Sequence, residues 1–357
     1  MTSPKDPLKF NCGKTMKNRF MLAPMTNTQS YEDGTLAEAE YHWLTMRAKG
    51  GFGLVMTCAS HVQEIGKGFP GQLGIFEDKH IEGHKKLAKG IQAEGGLAVI
   101  QLHHAGMRSP GDIIGTQPVA PSEIAEFNTR ALTTDEVIQV REDFISAALR
   151  ARNAGYDGVE IHGAHGYLIC QFLSAEYNQR KDLYGGSLEN RSRLLYEIVN
   201  GIRHQCGEDF LLGVRLSPER FGMDLAEVQS VSQQLIDSQK IDFLDISLWD
   251  VFKYPEAEKY KDKKLLNYFT GLNRKTVKLT VAGKIASAED VNKILGANVD
   301  FVAIGRAAIL HHDFPERVLE EPHFVPEKLP VSKAYLHKEG LSDAFIKYME
   351  RWPGFVA

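Results

Sequence analysis

Eight short apolar runs recur along the chain, each set off from the next by a longer segment. The runs are Met21 to Met25, Leu54 to Ala59, Leu97 to Leu102, Gly158 to Ile161, Leu211 to Leu216, Phe243 to Ser247, Lys278 to Ala282, and Phe301 to Gly305. Near-continuous apolarity is the pattern of strands buried on both faces, because neither side meets water. Strands of that kind alternating with helices require right-handed crossovers and a parallel sheet. Eight such units in 357 residues suit closure into a (β/α)8 TIM barrel of the α/β class better than an open doubly wound sheet. One domain spanning residues 1–357 is therefore expected.

The intervening segments carry helix punctuation. Thr133-Thr134-Asp135-Glu136 has the Thr-x-x-Glu form of a capping box, followed by Val137, Val140, Phe144, Ala147 and Ala151 on one helical face and Gly155 as a stop. Asp224 before Val228, Val231 and Leu235, Ser287 before Val291, Ile294 and Leu295, and Ser187 before Leu188, Leu194, Leu195, Ile198 and Ile202 repeat that logic. The stretches Glu38 to Lys49 and His80 to Ala93 read the same way. Phe10 to Thr15 is expected to form a small N-terminal hairpin plugging the barrel floor. Ala105 to Ser122, with Pro110, Gly111, Gly115, Pro118 and Pro121, is a long excursion after strand three expected to act as a lid, and a C-terminal extension follows strand eight.

Charge excludes some functions. The 42 basic and 46 acidic residues leave a net charge of -4 without a dense basic run beyond Lys259 to Lys264, so nucleic acid is not an expected partner. No run approaches the ~18 apolar residues of a membrane span, and the N-terminal residues lack a signal-peptide core, so a cytoplasmic protein is expected. Cys12, Cys58, Cys170 and Cys206 lack the spacing of a zinc or iron–sulfur site.

Barrels of this class do their chemistry where strands end. The residues delivered there are Pro24, Met25 and Thr26; Ala59; Gln101 and His103; His162, His165 and Tyr167; Arg215; Ser247; Gly283; Gly305 and Arg306. They are polar, convergent and lacking in carboxylates. A metal hydrolase needs Asp or Glu beside its histidines, and acyl transfer needs a nucleophile with a partnered base. The set suits instead a planar heterocycle with a phosphate tail. Glycine and a cation after strands seven and eight meet a phosphate, Gln101 can bond both donor and acceptor edges of a pyrimidine-like ring, and Arg215 can stabilise charge developing on that ring. This is the profile of a flavin mononucleotide (FMN) site.

Across nearly its whole length the chain resembles the old yellow enzyme family of FMN-dependent ene-reductases. The matching elements are Asn18-Arg19 leading to Ala23-Pro24-Met25-Thr26, Gln101-Leu102-His103-His104-Ala105-Gly106, His162 to Tyr167, and Phe172-Leu173-Ser174 through Asn178, Arg180 and Asp182. They continue through Tyr184-Gly185-Gly186-Ser187, Asn190-Arg191 and Ile304-Gly305-Arg306. The resemblance implies that Pro24, Met25, Thr26, Ala59, Gln101, Arg215, Gly283, Gly305 and Arg306 bind FMN. It further implies that His162 and His165 hydrogen-bond a substrate carbonyl or nitro oxygen, that Tyr167 donates the proton, and that NADH or NADPH is the reductant. Enones, nitro compounds and quinones are the implied substrates.

Some positions admit two readings. Thr26 and Thr28 stand where one bacterial subfamily carries Cys and Tyr, although a hydroxyl can still reach flavin O4. Trp249 either reshapes the pocket or packs under the rim. Arg351, in the tail Tyr348-Met349-Glu350-Arg351-Trp352, is either a second-subunit contact in a homo-oligomer or part of a solvated helix end. Arg215 and Arg306 can be framework ion-pair residues, Gln101 can bond backbone, and His103 and His104 can be packing or lid residues. The alternatives to an ene-reductase are a flavin-binding module without turnover and a metal-dependent barrel hydrolase or aldolase using His162 and His165. The larger dienoyl-coenzyme A reductases carry a cysteine cluster that this chain lacks, so a short stand-alone enzyme is expected.

Overall fold

Phe20–Leu22 (β1) pairs in parallel with Leu54–His61 (β2) on one side and with Phe301–Ile304 (β8) on the other, so the first and last barrel strands are neighbours. Leu97–His103 (β3), Gly158–Gly163 (β4), Leu211–Leu216 (β5), Phe243–Ser247 (β6) and Lys278–Ala282 (β7) complete a closed parallel barrel. The structure is a computed structural model that describes residues 2–357. The expected (β/α)8 barrel is the fold.

Strand ends differ from the apolar runs for local reasons. β1 stops at Leu22 rather than Met25: Ala23 still donates to the Ile304 carbonyl at 3.0 Å, but Pro24 has no N–H with which to continue the ladder. β2 runs on to His61, and its register against β3 slips between Met56 and Ala59. That bulge re-aims the strand so that Ala59 comes to lie opposite Gln101.

The helices follow their caps. Glu38–Lys49 (α1), Ile81–Ala93 (α2), Thr134–Asn153 (α3), Leu188–Cys206 (α4), Leu225–Ser238 (α5) and Ala288–Gly296 (α6) surround the barrel. Both halves of the Thr133/Glu136 capping box form, as do those of Ser287/Asp290, while Ser187 and Asp224 accept hydrogen bonds from the first turns of their helices. Each cap contributes on the order of 1 kcal/mol. The alternation weakens between β6 and β7, where the crossover holds the 3-10 turn Glu258–Tyr260 and the four-residue helix Asn267–Thr270. The charged Lys259–Lys264 stretch carries no apolar stripe to seat a longer helix there.

The hairpin plugs the floor. Leu8–Lys9 pairs antiparallel with Thr15–Met16, and the turn between them buries Phe10 with its ring 6.0 Å from Phe243 and 5.7 Å from Phe301. The excursion after β3 has more structure than its glycines and prolines suggest. It contains a 3-10 turn at Gly106–Arg108, the helix Gly111–Ile114, and the strand Val119–Ala120, which is tied to Arg130–Ala131. The C-terminal extension packs on its own chain: Phe345 lies edge-on to Trp43 of α1 at 5.3 Å, and the Ser342 N–H donates to Gln29 Oε1. Among the described residues no helix is long and apolar enough to cross a membrane.

Phe10 is nearly fully buried among aromatic rings, so Phe10→Ala opens a cavity at the floor. A loss of about 3–5 kcal/mol in urea unfolding is expected. Unchanged stability would mean that the hairpin does not seal the barrel.

Candidate active site

Side chains two residues apart on a barrel strand share a face, so the inward positions form stacked layers. The lower of the two polar layers holds Gln101, Glu160 and Asp245. Gln101 lies in register with Glu160, and its amide donates to Glu160 Oε1 at 2.7 Å. Asp245 lies in register with Arg215, whose Nε is 3.1 Å from Asp245 Oδ2. That N–H is not aimed along the contact, so the two form an ion pair while neither Asp245 oxygen accepts a hydrogen bond. Burial pushes the Glu160 carboxyl up to about 8, with the Asp245 charge adding to the shift and Arg215 and Gln101 opposing it. Burial likewise raises Asp245, against the pull of Arg215. One guanidinium balances one carboxylate, and Glu160 keeps its proton at neutral pH.

These two carboxyl groups went unread in the sequence. The rim itself is free of them, but Glu160 sits two residues below His162 and Asp245 two below Ser247. The available signal was an acid inside an otherwise apolar run, as in Val159-Glu160-Ile161 and Leu244-Asp245-Ile246.

Above that layer, β4 ends in a strained turn. His165 and Gly166 both have left-handed backbone, at φ 60° and 71°. For a non-glycine residue this costs about 1–2 kcal/mol. The turn is held by the His165 N–H, which donates to Ser217 Oγ at 2.9 Å, and by Arg108 Nη1, which donates to the His165 carbonyl at 2.6 Å. A Cβ on Gly166 would stand 2.9 Å from the Phe221 ring, so position 166 is restricted to glycine twice over.

Hydrogen bonds fix the imidazole tautomers. The Ala164 N–H donates to His162 Nδ1 at 3.2 Å, so the ring proton of neutral His162 is on Nε2. That Nε2 lies 3.2 Å from His165 Nδ1, which therefore accepts, and His165 Nε2 then donates to Ser247 Oγ at 2.6 Å. A ligand oxygen entering between the two rings needs a proton on His165 Nδ1 instead. Ser247 allows the exchange, because a hydroxyl donates as readily as it accepts. Burial pulls both imidazoles well below the ordinary histidine range, with the neighbouring His165 and Arg215 adding to the shift at His162, and Arg215 and Arg108 at His165. Both are neutral donors.

Tyr167 closes the group. Its ring lies 4.4 Å from His103, 5.0 Å from His162 and 6.5 Å from His165, with the Arg108 guanidinium 5.0 Å over it. Burial raises the phenol, and Arg108 partly offsets this. His103, which the sequence left between packing and lid roles, is held by Gln72. The Gln72 amide donates to the Ala59 carbonyl at 2.6 Å and to His103 Nδ1 at 3.1 Å, while its oxygen accepts from the Gly68 N–H.

On the far side of the mouth, barrel closure brings Pro24, Met25 and Thr26 beside Gly305 and Arg306. Pro24, Met25, Thr26, Ala59, Gly283 and Gly305 are half-buried. A Cβ on Gly283 would stand 2.6 Å from the Trp249 carbonyl carbon, whereas one on Gly305 would meet only Met25 Sδ, at 3.7 Å, and project into open space. Arg306 is exposed and, among the described residues, no carboxylate lies within 4.0 Å of it. Open space at Gly305, the unpaired Arg306 cation beside it, and the buried polar ends of Gln101 and Arg215 fit the phosphate and the ring of an FMN, while Gly283 is a glycine because the Trp249–Asp250 backbone passes where a Cβ would stand.

Trp249 is 45% exposed, edge-on to His165 at 6.2 Å and covered by the Arg220 guanidinium at 5.0 Å, so it walls the mouth rather than packing under the rim. Arg351 is exposed, with its guanidinium 5.6 Å over Tyr348. Among the described residues the grouping suited to a metal ion is His312, Asp313 and Glu339, which does not include His162 or His165.

Comparison with known proteins gives a consistent picture. The model of the NADH:flavin oxidoreductase / NADH oxidase family matches residues 6–322. A probable NADH-dependent flavin oxidoreductase of Bacillus subtilis, YqiG, is 38% identical over 326 residues, covering 88% of this chain and 87% of that protein. The NADH oxidase of Thermoanaerobacter brockii is 34% identical over 320 residues, and there the match covers 85% of this chain but only 49% of the relative. The solved structure of the old yellow enzyme homologue from Zymomonas mobilis superposes with a TM-score of 0.80 at 29% identity, covering 96% of this chain and 99% of that one.

Two outcomes are expected. Burial lowers His61 and His84 to about 4 and His104 to about 3, from 6.5, so the unfolded chain binds protons that the folded one refuses. This stability is complete above pH 6.5 and is lost as pH falls below it, at roughly 1.4 kcal/mol per pH unit for each histidine. Glu40, Glu160 and Asp245, raised by burial, act with the opposite sign, but as three groups against the eight histidines that are lowered. Urea midpoints should therefore fall steadily from pH 6.5 to 4.5, and a flat profile would contradict neutral buried imidazoles. Ser247→Ala, which removes the partner that lets His165 change tautomer, should weaken phenolic ligands about tenfold, or ~1.4 kcal/mol, in a binding titration. Unchanged affinity would rule that role out.

Proposed function

The chain belongs to the NADH:flavin oxidoreductase / NADH oxidase family, the old yellow enzyme group of FMN-dependent NAD(P)H oxidoreductases, and from that premise we propose that it reduces activated C=C bonds. The observation that carries the reading is the pair of neutral imidazoles 3.2 Å apart with a phenol ring 5.0 Å from one of them, all at the rim beside Arg215.

FMN, when bound, would supply the hydride chemistry that links NADH or NADPH to the β-carbon of the alkene. In this reading Pro24, Met25, Thr26, Ala59, Gln101, Arg215, Gly283, Gly305 and Arg306 hold that cofactor. His162 and His165 donate N–H bonds to the substrate oxygen and draw electron density off the alkene. Each donor of this kind supplies ~3 kcal/mol to the enolate-like transition state. Because burial keeps both rings neutral, neither is charged to act as the acid. That falls to Tyr167, whose raised phenol keeps its proton at pH 7 and gives it to the α-carbon. Enones, nitro compounds and quinones share the accepting oxygen that the imidazoles require.

Tyr167→Phe should slow flavin reoxidation by 2-cyclohexenone by about 10²–10⁴-fold while leaving flavin reduction by NADH within twofold, read as separate half-reactions in anaerobic stopped-flow. Equal loss in both would remove Tyr167 as the donor. His162→Ala should weaken phenolic ligands at least tenfold.

A further inference from the structure

Arg108 borders two spaces. On one side its guanidinium lies 5.0 Å over the Tyr167 ring and donates to the His165 carbonyl at 2.6 Å. On the other it lines an open cavity of about 500 Å³ between the excursion after β3 and the turn at Ala125–Phe127, together with Met107, Pro110, Pro118, Phe127 and Asn128. Arg108 is the one charged residue in that wall.

Its charge is uncompensated. Arg130, Arg150 and Arg220 each have a carboxylate partner, Glu136, Asp78 and Glu256, whereas Arg108, like Arg306 at the other side of the mouth, has none among the described residues. Among the described residues no carboxylate comes within 4.0 Å of Arg108, and its side-chain hydrogen bond goes to a neutral carbonyl through Nη1 alone. Nε and Nη2 are left as donors in the forked geometry that matches a carboxylate. A cation at the edge of an apolar cavity, over the phenol and next to the His165 backbone, selects a molecule with an activated alkene at one end and an anion at the other.

We propose that Arg108 and this cavity form a subsite for a carboxylate that the substrate carries at a distance from its alkene. The apolar connecting part lies on Met107, Pro110, Pro118 and Phe127. The inference rests on the reading of His162, His165 and Tyr167 as the place where the alkene is reduced. Phosphates of the nicotinamide reductant share the same anionic chemistry, and the test separates the two sources.

The test uses the FMN-loaded enzyme and its Arg108→Gln and Arg108→Lys variants with a matched pair of enones, 4-(3-oxobut-1-enyl)benzoate and its uncharged methyl ester. The wild type should show a KM about tenfold lower for the acid than for the ester; Arg108→Gln, which also loosens the His165 turn and so slows both substrates, should bring the acid-to-ester KM ratio to near one, and Arg108→Lys should keep part of the preference. In parallel, binding of 4′-hydroxybiphenyl-4-carboxylate and its carboxamide is followed by flavin absorbance, a readout independent of turnover. Equal KM values for acid and ester in the wild type, with equal binding of carboxylate and carboxamide, would overturn the subsite. So would a rise in KM for NADH but not for N-benzyl-1,4-dihydronicotinamide in Arg108→Gln, with the acid-to-ester KM ratio unchanged, which would assign Arg108 to the reductant. If neither enone turns over but Arg108→Gln selectively weakens the carboxylate ligand, the subsite stands and the ene-reductase reading fails.

Discussion

The parallel pairing of Phe20–Leu22 with Phe301–Ile304 is the contact on which the rest depends. It removes the sheet's two edges at once and brings together residues from opposite ends of the sequence. Without it Gly305 and Arg306 would sit at one margin of an open sheet and Pro24, Met25 and Thr26 at the other. With it they form one arc, half-buried except for the exposed Arg306, facing the imidazoles of β4 across the mouth. Phe10 makes the closure stable from below by filling the floor between Phe243 and Phe301.

Inside the ring, electrostatics divides into layers. The upper one carries neutral donors, because burial and Arg215 both disfavour charge on His162 and His165. The lower one carries the compensating charge, with Asp245 beside Arg215 and Glu160 held protonated against Gln101. Arg215 belongs to both, since it pairs with Asp245 and reaches Ser247, the same hydroxyl that His165 uses. The framework reading of Arg215 and its flavin-facing reading are therefore compatible: an ion pair below holds the guanidinium in place at the rim. The strained backbone at His165 is held by a hydrogen bond to Ser217 and one from Arg108, which sets the imidazole where β4 alone would not.

Much of this was legible in the sequence. The eight apolar runs named the strands because barrel strands are buried on both faces, and Thr133, Ser187, Asp224 and Ser287 named helix starts because a side-chain oxygen satisfies orphan N–H groups. The rim residues were found from strand position. Three things were not legible, each for a physical reason. Glu160 and Asp245 lie one layer below the strand ends and were hidden within apolar runs. The short crossover after β6 has no periodic pattern to read. His103 and Arg108 acquire their contacts with Tyr167 only when β3 and β4 become neighbours, which no local signal encodes.

The central claim is that closure builds one rim in which a flavin lies opposite two neutral imidazoles and a phenol. The structure of the protein crystallised with FMN and a bound phenol tests it most directly. The account predicts the phosphate against Gly283, Gly305 and Arg306, with the phenol oxygen within hydrogen-bond distance of both His162 and His165. A flavin bound away from Arg215, or a phenol that leaves the two histidines bonded to each other, would contradict it.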